Sequence, residues 1–135
     1  MTAPTRPRGY SRRVALEPEF TLTQLGDLTV AELLVGVVQD ERDATDLVGN
    51  ASFLEADYVL LRTDQLAPEF FDLSSGLAGA VTQKFANYRL RLIVAGPLPR
   101  VASASLEAFM LESNRGSLLA FVPDRAAALL RVANG

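Results

Sequence analysis

Apolar and polar positions change their period several times along the chain, which predicts alternating strands and helices. In residues 19–24 apolar and polar residues alternate one by one, as expected for a short strand. Gly26-Asp27 marks a turn, and the apolar run Val30–Val38 is the predicted hairpin partner of that strand. The ordered part of the chain therefore opens with a predicted β-hairpin.

The remaining elements alternate between helix and strand. Apolar residues at helical spacing predict helices, and short apolar runs between them predict strands, over these ranges: helices 41–51, 74–87, 103–113 and a last one that begins at Pro123-Asp124, and strands 57–62, 89–95 and 118–122. In the last helix we expect Ala126, Leu129, Leu130 and Val132 to face the core. This order predicts an α/β fold, a single domain with a mixed, mostly parallel five-stranded sheet and four helices.

The first residues do not share this pattern. Residues 1–13 contain four arginines and two prolines and have no apolar periodicity, so they predict a flexible basic tail. The single α/β domain is expected over 14–135.

Composition excludes several kinds of chemistry. The chain has 135 residues, without Cys or His, which excludes disulfides, thiolate catalysis, cysteine zinc sites and the Ser-His-Asp triad. We expect no cofactor and no metal site, because the acidic residues at 40–46 fit a helix start better than a calcium loop. A net charge of −3 with no basic stripe beyond the tail argues against a nucleic-acid partner. No apolar run is long enough for a membrane helix, so a cytoplasmic protein is expected.

A long segment resembles a known family. Residues 68–98, PEFFDLSSGLAGAVTQKFANYRLRLIVAGPL, are similar to a bacterial domain-of-unknown-function family, number 4180. The later Phe109, Glu112, Ser113, Asn114 and Gly116 also match its pattern. The resemblance covers about 30–132. It implies a fold more than a function, because the role of the family is unknown.

A second, shorter resemblance concerns the segment DLSSGLAG, residues 72–79. It is similar to a segment of the anti-sigma-factor antagonist, or STAS, fold, and the predicted element order also agrees with that fold. In those antagonists a partner kinase phosphorylates a serine at this helix start, and the phosphate blocks docking of the partner. By position, the resemblance implies Ser74 as the phosphorylation candidate and a STAS-like architecture.

The connection Thr63–Ser75 is the main candidate site. It is longer than a usual strand-to-helix loop, it contains two adjacent phenylalanines, and it lies at the carboxyl ends of the strands, where ligands of α/β sheets bind. One interpretation is a loop that packs its own small core and caps the next helix through Asp72 or Ser74. The other is an apolar rim for a protein partner or a small molecule. The candidate contact residues are Asp64, Phe70, Phe71, Asp72, Ser74, Ser75, Gly76 and Ser105.

Two function classes remain open from the sequence. The preferred one is a non-enzymatic binding or regulatory module of STAS-like type that docks its partner at residues 64–76, with Ser74 as a gate. The alternative is a small cofactor-independent enzyme, of cyclase or isomerase type, with Asp72, Glu112 or Tyr88 as its acid-base group. The structural interpretation of Glu112 is an ion pair with Arg89 or Arg115.

Small residues mark the helix that follows the loop. Gly76 and Gly79, with the alanines between and after them, predict close packing of this helix on the sheet, or a homodimer seam. Asn87 is the predicted left-handed residue at the end of the same helix.

Overall fold

The computed structural model describes residues 18–99 and 103–135. They form a single α/β domain with the predicted order of elements. The strands are β1 (Glu19–Leu25), β2 (Leu28–Val35), β3 (Tyr58–Arg62), β4 (Arg91–Ala95) and β5 (Leu119–Val122), and the α-helices are α1 (Glu41–Phe53), α2 (Leu77–Asn87), α3 (Ala104–Arg115) and α4 (Arg125–Asn134). Short 3₁₀ turns occupy Thr63–Gln65, Pro68–Phe71 and Leu73–Ser75. The predicted tail at 1–13 lies outside the described residues.

The sheet follows the order of the chain, β1-β2-β3-β4-β5. β1 pairs with β2 in antiparallel fashion, and the other neighbouring strands are parallel. Gly26, with φ of 61°, begins the two-residue turn of the hairpin, as a type II′ turn requires. The predicted mixed, mostly parallel five-stranded sheet is confirmed.

The helices are divided unequally between the two faces of the sheet. α1, α2 and α3 connect the parallel strands and pack on one face, where Leu47, Phe85 and Leu106 belong to the larger core cluster. α4 packs on the other face through Ala128 and Val132. β3 is buried on both sides, because its residues contribute alternately to the two clusters.

Some boundaries differ from the prediction. β2 ends at Val35, earlier than predicted, and Val38 instead forms an isolated parallel bridge with Leu66. α2 begins at Leu77, not at residue 74, because Gly76 has a left-handed φ of 80° that no helix interior adopts.

The inward face of α4 was predicted wrongly in part. Leu130 is exposed, with 61% of its surface accessible, and Ala126 is exposed as well. The residues that face the sheet are Ala128 and Val132, which are one helical turn apart. Asp124 is the N-cap of this helix, since its carboxylate accepts a hydrogen bond from the amide of Ala127 at 2.8 Å.

The β5 edge of the sheet is closed by a side chain. The Asn114 amide nitrogen donates to the carbonyl of Phe121 at 3.1 Å, and the Phe121 amide donates to the Asn114 Oδ1 at 2.7 Å. Asn114 thus supplies the pair of hydrogen bonds that a sixth strand would form at this residue. Arg131 of α4 holds the same corner by donating to the carbonyls of Asn114 and Gly116, at 2.9 and 3.0 Å.

Candidate functional site

The connection between β3 and α2 is held to the sheet at its beginning. Gln65 is 1% exposed, and its amide nitrogen donates to the Leu33 carbonyl at 3.1 Å, while its Oε1 accepts from the Arg62 amide at 2.9 Å. The backbone continues the attachment, because Val38 donates to the carbonyl of Gln65 and accepts from the amide of Ala67. The connection is therefore built on the parallel strands rather than suspended from its ends.

Phe70 anchors the middle of the connection. Its side chain is completely buried and meets Phe71 edge to face, with ring centroids 5.2 Å apart. Phe121 of β5 lies 6.4 Å away on the other side, and Phe109 of α3 extends this aromatic row. Phe70 is a core residue that fixes the position of Phe71, and its ring is not available to a partner.

A cavity of ≈ 380 Å³ lies between this connection and the start of α3. Its walls are mostly proline, aromatic and aliphatic, with one carboxylate and one hydroxyl among them: Pro68, Phe71, Asp72, Leu73, Pro99, Ser103 and Leu106. We call it the Phe71 cavity. Its size suits one apolar side chain or a small ligand.

Asp72 and Ser74 form a small hydrogen-bonded turn at the rim of the Phe71 cavity. The Asp72 Oδ1 accepts from both the amide of Ser74, at 3.1 Å, and its hydroxyl, at 2.6 Å. Leu73, which lines the cavity, lies between these two residues in the chain. The position of Leu73 in the cavity wall therefore depends on the hydrogen bonds between Asp72 and Ser74, which are both exposed.

Ser75 and Gly76 connect the turn to α2. The Ser75 hydroxyl donates to the carbonyl of Glu69 at 2.6 Å and accepts from the amide of Leu77 at 3.2 Å. Ser75 therefore satisfies one of the free amides at the start of α2, a role that the sequence analysis assigned to Asp72 or Ser74. Asp72 caps the preceding 3₁₀ turn instead.

The predicted site residues separate into groups. Phe71 and Asp72 line the cavity, and Ser74, Ser75 and Gly76 follow directly beside it. Two other candidates are exposed but do not line the Phe71 cavity: Asp64, which pairs with the Arg62 Nε at 3.0 Å, and Ser105 in the first turn of α3.

The candidates for acid-base catalysis do not converge. Glu112 and Tyr88 lie at the ends of α3 and α2, at the amino side of the parallel strands, whereas Asp72 lies at the carboxyl side. Glu112 contacts Arg115 at 3.5 Å, and both side chains are mostly exposed. This contact is one of the two ion pairs considered for Glu112.

The end of α2 and its glycine differ from expectation. The left-handed residue is Arg89, with φ of 57°, and not Asn87, because the helix extends through Asn87 before the chain turns. Gly79 is exposed, and a Cβ added to it would meet no atom within 4 Å. Close packing within the domain therefore does not require glycine at this position.

Sequence reasoning missed part of the cavity wall. Ser103 caps α3, where its hydroxyl accepts from the Leu106 amide at 3.0 Å, but it is not among the candidate contact residues predicted from the sequence. Pro99 and Leu106 were not recognised either. The sequence indicates only that they follow the carboxyl end of β4. Their contact with the connection after β3 arises when the sheet places the two strands side by side, so it has no local sequence signal.

Within 18–99 and 103–135, no group of three or more Asp or Glu residues could hold a metal ion. A second cavity, of ≈ 260 Å³, lies at the carboxyl ends of the strands on the α4 face. The ion pair between Arg125 and Glu32, with 2.9 Å between Nε and Oε1, borders it. No helix in the described parts of the chain has the length and apolar character to cross a bilayer.

Most of the chain matches one known protein family. The model of the family described as "Domain of unknown function (DUF4180)" matches residues 28–132. The chain belongs to this family. No curated protein matches it. In this DUF4180 domain the match begins at β2 and ends within α4, so it includes the whole parallel part of the sheet and the Phe71 cavity.

Several residues that carried the resemblance to DUF4180 have structural roles here. Asn114 closes the β5 edge, and Phe70 fills the core. Gly96 has φ of 136°, which favours glycine, and a Cβ there would lie 2.7 Å from the Thr63 Oγ1, so a side chain would force Thr63 to shift. Asp72 and Ser74 belong to the same segment and are exposed.

Proposed function

We propose that this DUF4180 domain is a non-enzymatic regulatory module that binds a protein partner in the Phe71 cavity. The observation that carries the proposal is the cavity itself, an apolar recess of ≈ 380 Å³ held by a connection with a buried anchor. A preformed apolar recess reduces the entropic cost of binding. The setting we infer is the cytoplasm.

The chemistry of the rim narrows the class of partner. The walls favour an apolar side chain, while Glu69 and Asp72 leave negative charge on the exposed side of the connection. A partner segment that places an apolar side chain beside an arginine or lysine would match both features. Asp72 would then receive the cation at the cavity mouth.

Ser74 offers a gate for this interaction. Its hydroxyl donates to Asp72 at 2.6 Å, so a phosphate on that oxygen would replace a hydrogen bond by repulsion between like charges. The turn Leu73–Ser75 would open, and Leu73 would leave its place in the cavity wall. This gate is the regulatory element that the resemblance to STAS antagonists implies.

The enzymatic alternative has less support. Its three acid-base candidates lie at two opposite ends of the sheet, and Asp72 is the one that lines the Phe71 cavity. General acid-base catalysis requires its groups within reach of one substrate. The rim around Asp72 suits recognition of a cation better.

Site-specific photocrosslinking in the native cell would test the binding site. A photoreactive phenylalanine analogue replaces Phe71 in one variant and Leu111, exposed on α3, in the matched control. We expect a discrete crosslinked partner from position 71 and none of the same mass from position 111. Equal crosslinking from both positions, or from neither, would contradict the proposed site.

The purified crosslinked partner would then test the gate. We expect Ser74→Ala to bind it with unchanged affinity and Ser74→Glu to bind at least about tenfold more weakly, which corresponds to about 1.4 kcal/mol. Equal binding by both variants would exclude a gate at Ser74 while leaving the cavity as the binding site. Asp72→Asn should weaken the cation contact without changing the turn hydrogen bonds to its Oδ1.

A further inference from the structure

The outer edge of β1 is open. β1 has seven residues, and none of the described residues pairs with the side of β1 that faces away from β2. A two-residue turn closes with a hydrogen-bonded pair, here Leu25 and Leu28, and hydrogen bonding then alternates along the hairpin. The backbone groups of Phe20, Leu22 and Gln24 therefore point outward.

Within the described residues, the centre of this edge lacks the usual protection against pairing. Natural edge strands carry lysine, proline, a bulge or a covering element that discourages another strand. In β1 the only charged residue is Glu19, at its first position, and the one irregularity in the register lies between Glu19 and Phe20. Leu22, in the centre, has 47% of its surface exposed.

Among the described residues, the face beside the centre of this edge is also open. The three helices on that side of the sheet connect β2 to β5, and their core cluster reaches Phe20 at the start of β1 but leaves Leu22 about half exposed. Leu22 points to this side, since its pairing partner Ala31 alternates with residues of the opposite core cluster. A second strand beside β1 would cover both the open backbone groups and this leucine.

We propose that β1 pairs with β1 of a second copy of this chain, in antiparallel fashion about a two-fold axis at Leu22. Phe20 then lies opposite Gln24 of the other copy, and Leu22 lies opposite its own counterpart. Every outward backbone group of these three residues gains a partner. The two sheets become one continuous sheet, with α1, α2 and α3 of both copies on one face and α4 of both copies on the other.

The sequence of β1 selects this register. With the axis at Thr21, Gln24 would meet Pro18, which has no amide hydrogen. With the axis at Thr23, Phe20 would meet Gly26 in the turn. Only the axis at Leu22 pairs Phe20, Leu22 and Gln24 completely.

The side chains agree with a second copy as the occupant. Thr21 lies opposite Thr23 of the other copy, and threonine pairs across antiparallel strands are favourable. The two leucines meet at the axis and lose water together. Glu19 lies opposite Leu25, at the ends of the paired segment, so no like charges face each other. This self-complementary pattern favours a closed, isologous dimer over an unrelated strand.

Analytical ultracentrifugation over a concentration series would test the proposal with the full chain. We expect a species of twice 14.6 kDa that dissociates on dilution. Leu22→Lys should raise the dimer dissociation constant at least about tenfold, because two ammonium groups would meet at the axis. The matched control Leu130→Lys changes a similarly exposed leucine on α4 and should leave the dimer unchanged.

A charge-pairing experiment separates this interface from any other. Leu22→Lys and Leu22→Glu should each be monomeric alone, and an equimolar mixture should recover a dimer, since residue 22 meets only its own counterpart. A monomer at all concentrations for the unmodified chain would overturn the proposal. A dimer that Leu22→Lys leaves intact would overturn it as well, because the contact would then lie elsewhere. Pairing with a strand of another protein would appear as a monomer here.

Discussion

Both edges of the sheet have backbone groups that point outward, and the two edges differ in whether those groups are hydrogen-bonded. β5 has four residues, and Asn114 bonds both backbone groups of Phe121, so that edge offers little to an incoming strand. β1 has seven residues, and its outward groups meet no described partner. Length, exposure and the absence of internal charge all make β1 the edge that is available for association.

The residue that covers the β5 edge is close to β5 in the sequence. Asn114 and Phe121 are seven residues apart, so the helix that precedes β5 supplies the side chain that covers it. β1 has no helix before it in the described chain and forms its sheet contacts with β2 alone. Within residues 18–99 and 103–135, no other strand pairs with its outer edge.

The largest expected effect comes from opening the closed edge. Asn114→Leu keeps a side chain of similar size but removes both hydrogen bonds to Phe121, whose backbone groups are partly buried. We expect a loss of about 2–4 kcal/mol in the free energy of unfolding, measured by urea titration, together with aggregation on heating. Unchanged stability would show that water replaces the asparagine without cost.

The aspartate variant resolves the two hydrogen bonds at this edge. Asn114→Asp keeps the oxygen that accepts from the Phe121 amide and loses the nitrogen that donates to its carbonyl. We expect a smaller loss of stability than for Asn114→Leu.

A smaller effect is expected from the arginine that supports the closed edge. Arg131→Met keeps the aliphatic part of the side chain but removes the donors to the carbonyls of Asn114 and Gly116. We expect a loss of about 1 kcal/mol in unfolding free energy by the same titration. If Arg131→Met and Asn114→Leu destabilise additively, the two side chains act independently, and the description of one shared corner is wrong.

The smallest effect on stability is expected at the open edge. Leu22→Lys should change the unfolding free energy by no more than about 0.5 kcal/mol at a concentration where the protein is monomeric, since Leu22 is about half exposed. Thermal unfolding of the dilute protein would measure this. A large loss would mean that Leu22 belongs to the core of one copy, and the contrast between the edges would then disappear.

The fold was predictable because local patterns and topology agree. Alternating apolar and polar residues predicted β1, and short apolar runs predicted the other four strands. The alternation of these strands with helices favoured a mostly parallel sheet. The errors lie where one residue overrides a pattern. The helical repeat begins at Leu73, but the left-handed Gly76 delays the start of α2 to Leu77. On α4 the small Ala128 faces the sheet, whereas the larger Leu130 is exposed.

The candidate site was predictable only in part. The length and place of the connection after β3 indicated a site at the carboxyl ends of the strands, and Phe71 and Asp72 line the cavity there. The sequence could not show that Phe70 belongs to the core and Phe71 to the cavity wall. The backbone of the turn decides which of two adjacent aromatic side chains points inward. It also could not bring Pro99 and Leu106 to the same cavity, since that contact exists only after the strands align.

The order of strands in the sheet has a consequence for how the chain folds during synthesis. Each strand pairs with the strand that precedes it in the sequence, so the sheet can grow from β1 to β5 in the order in which the ribosome releases it. No strand has to wait for a distant partner, which keeps loop-closure entropy low and favours rapid folding. At every stage the outer edge of the growing sheet can pair with another strand. Once α3 and β5 have formed, Asn114 bonds the outward groups of Phe121, and no further strand can be added there.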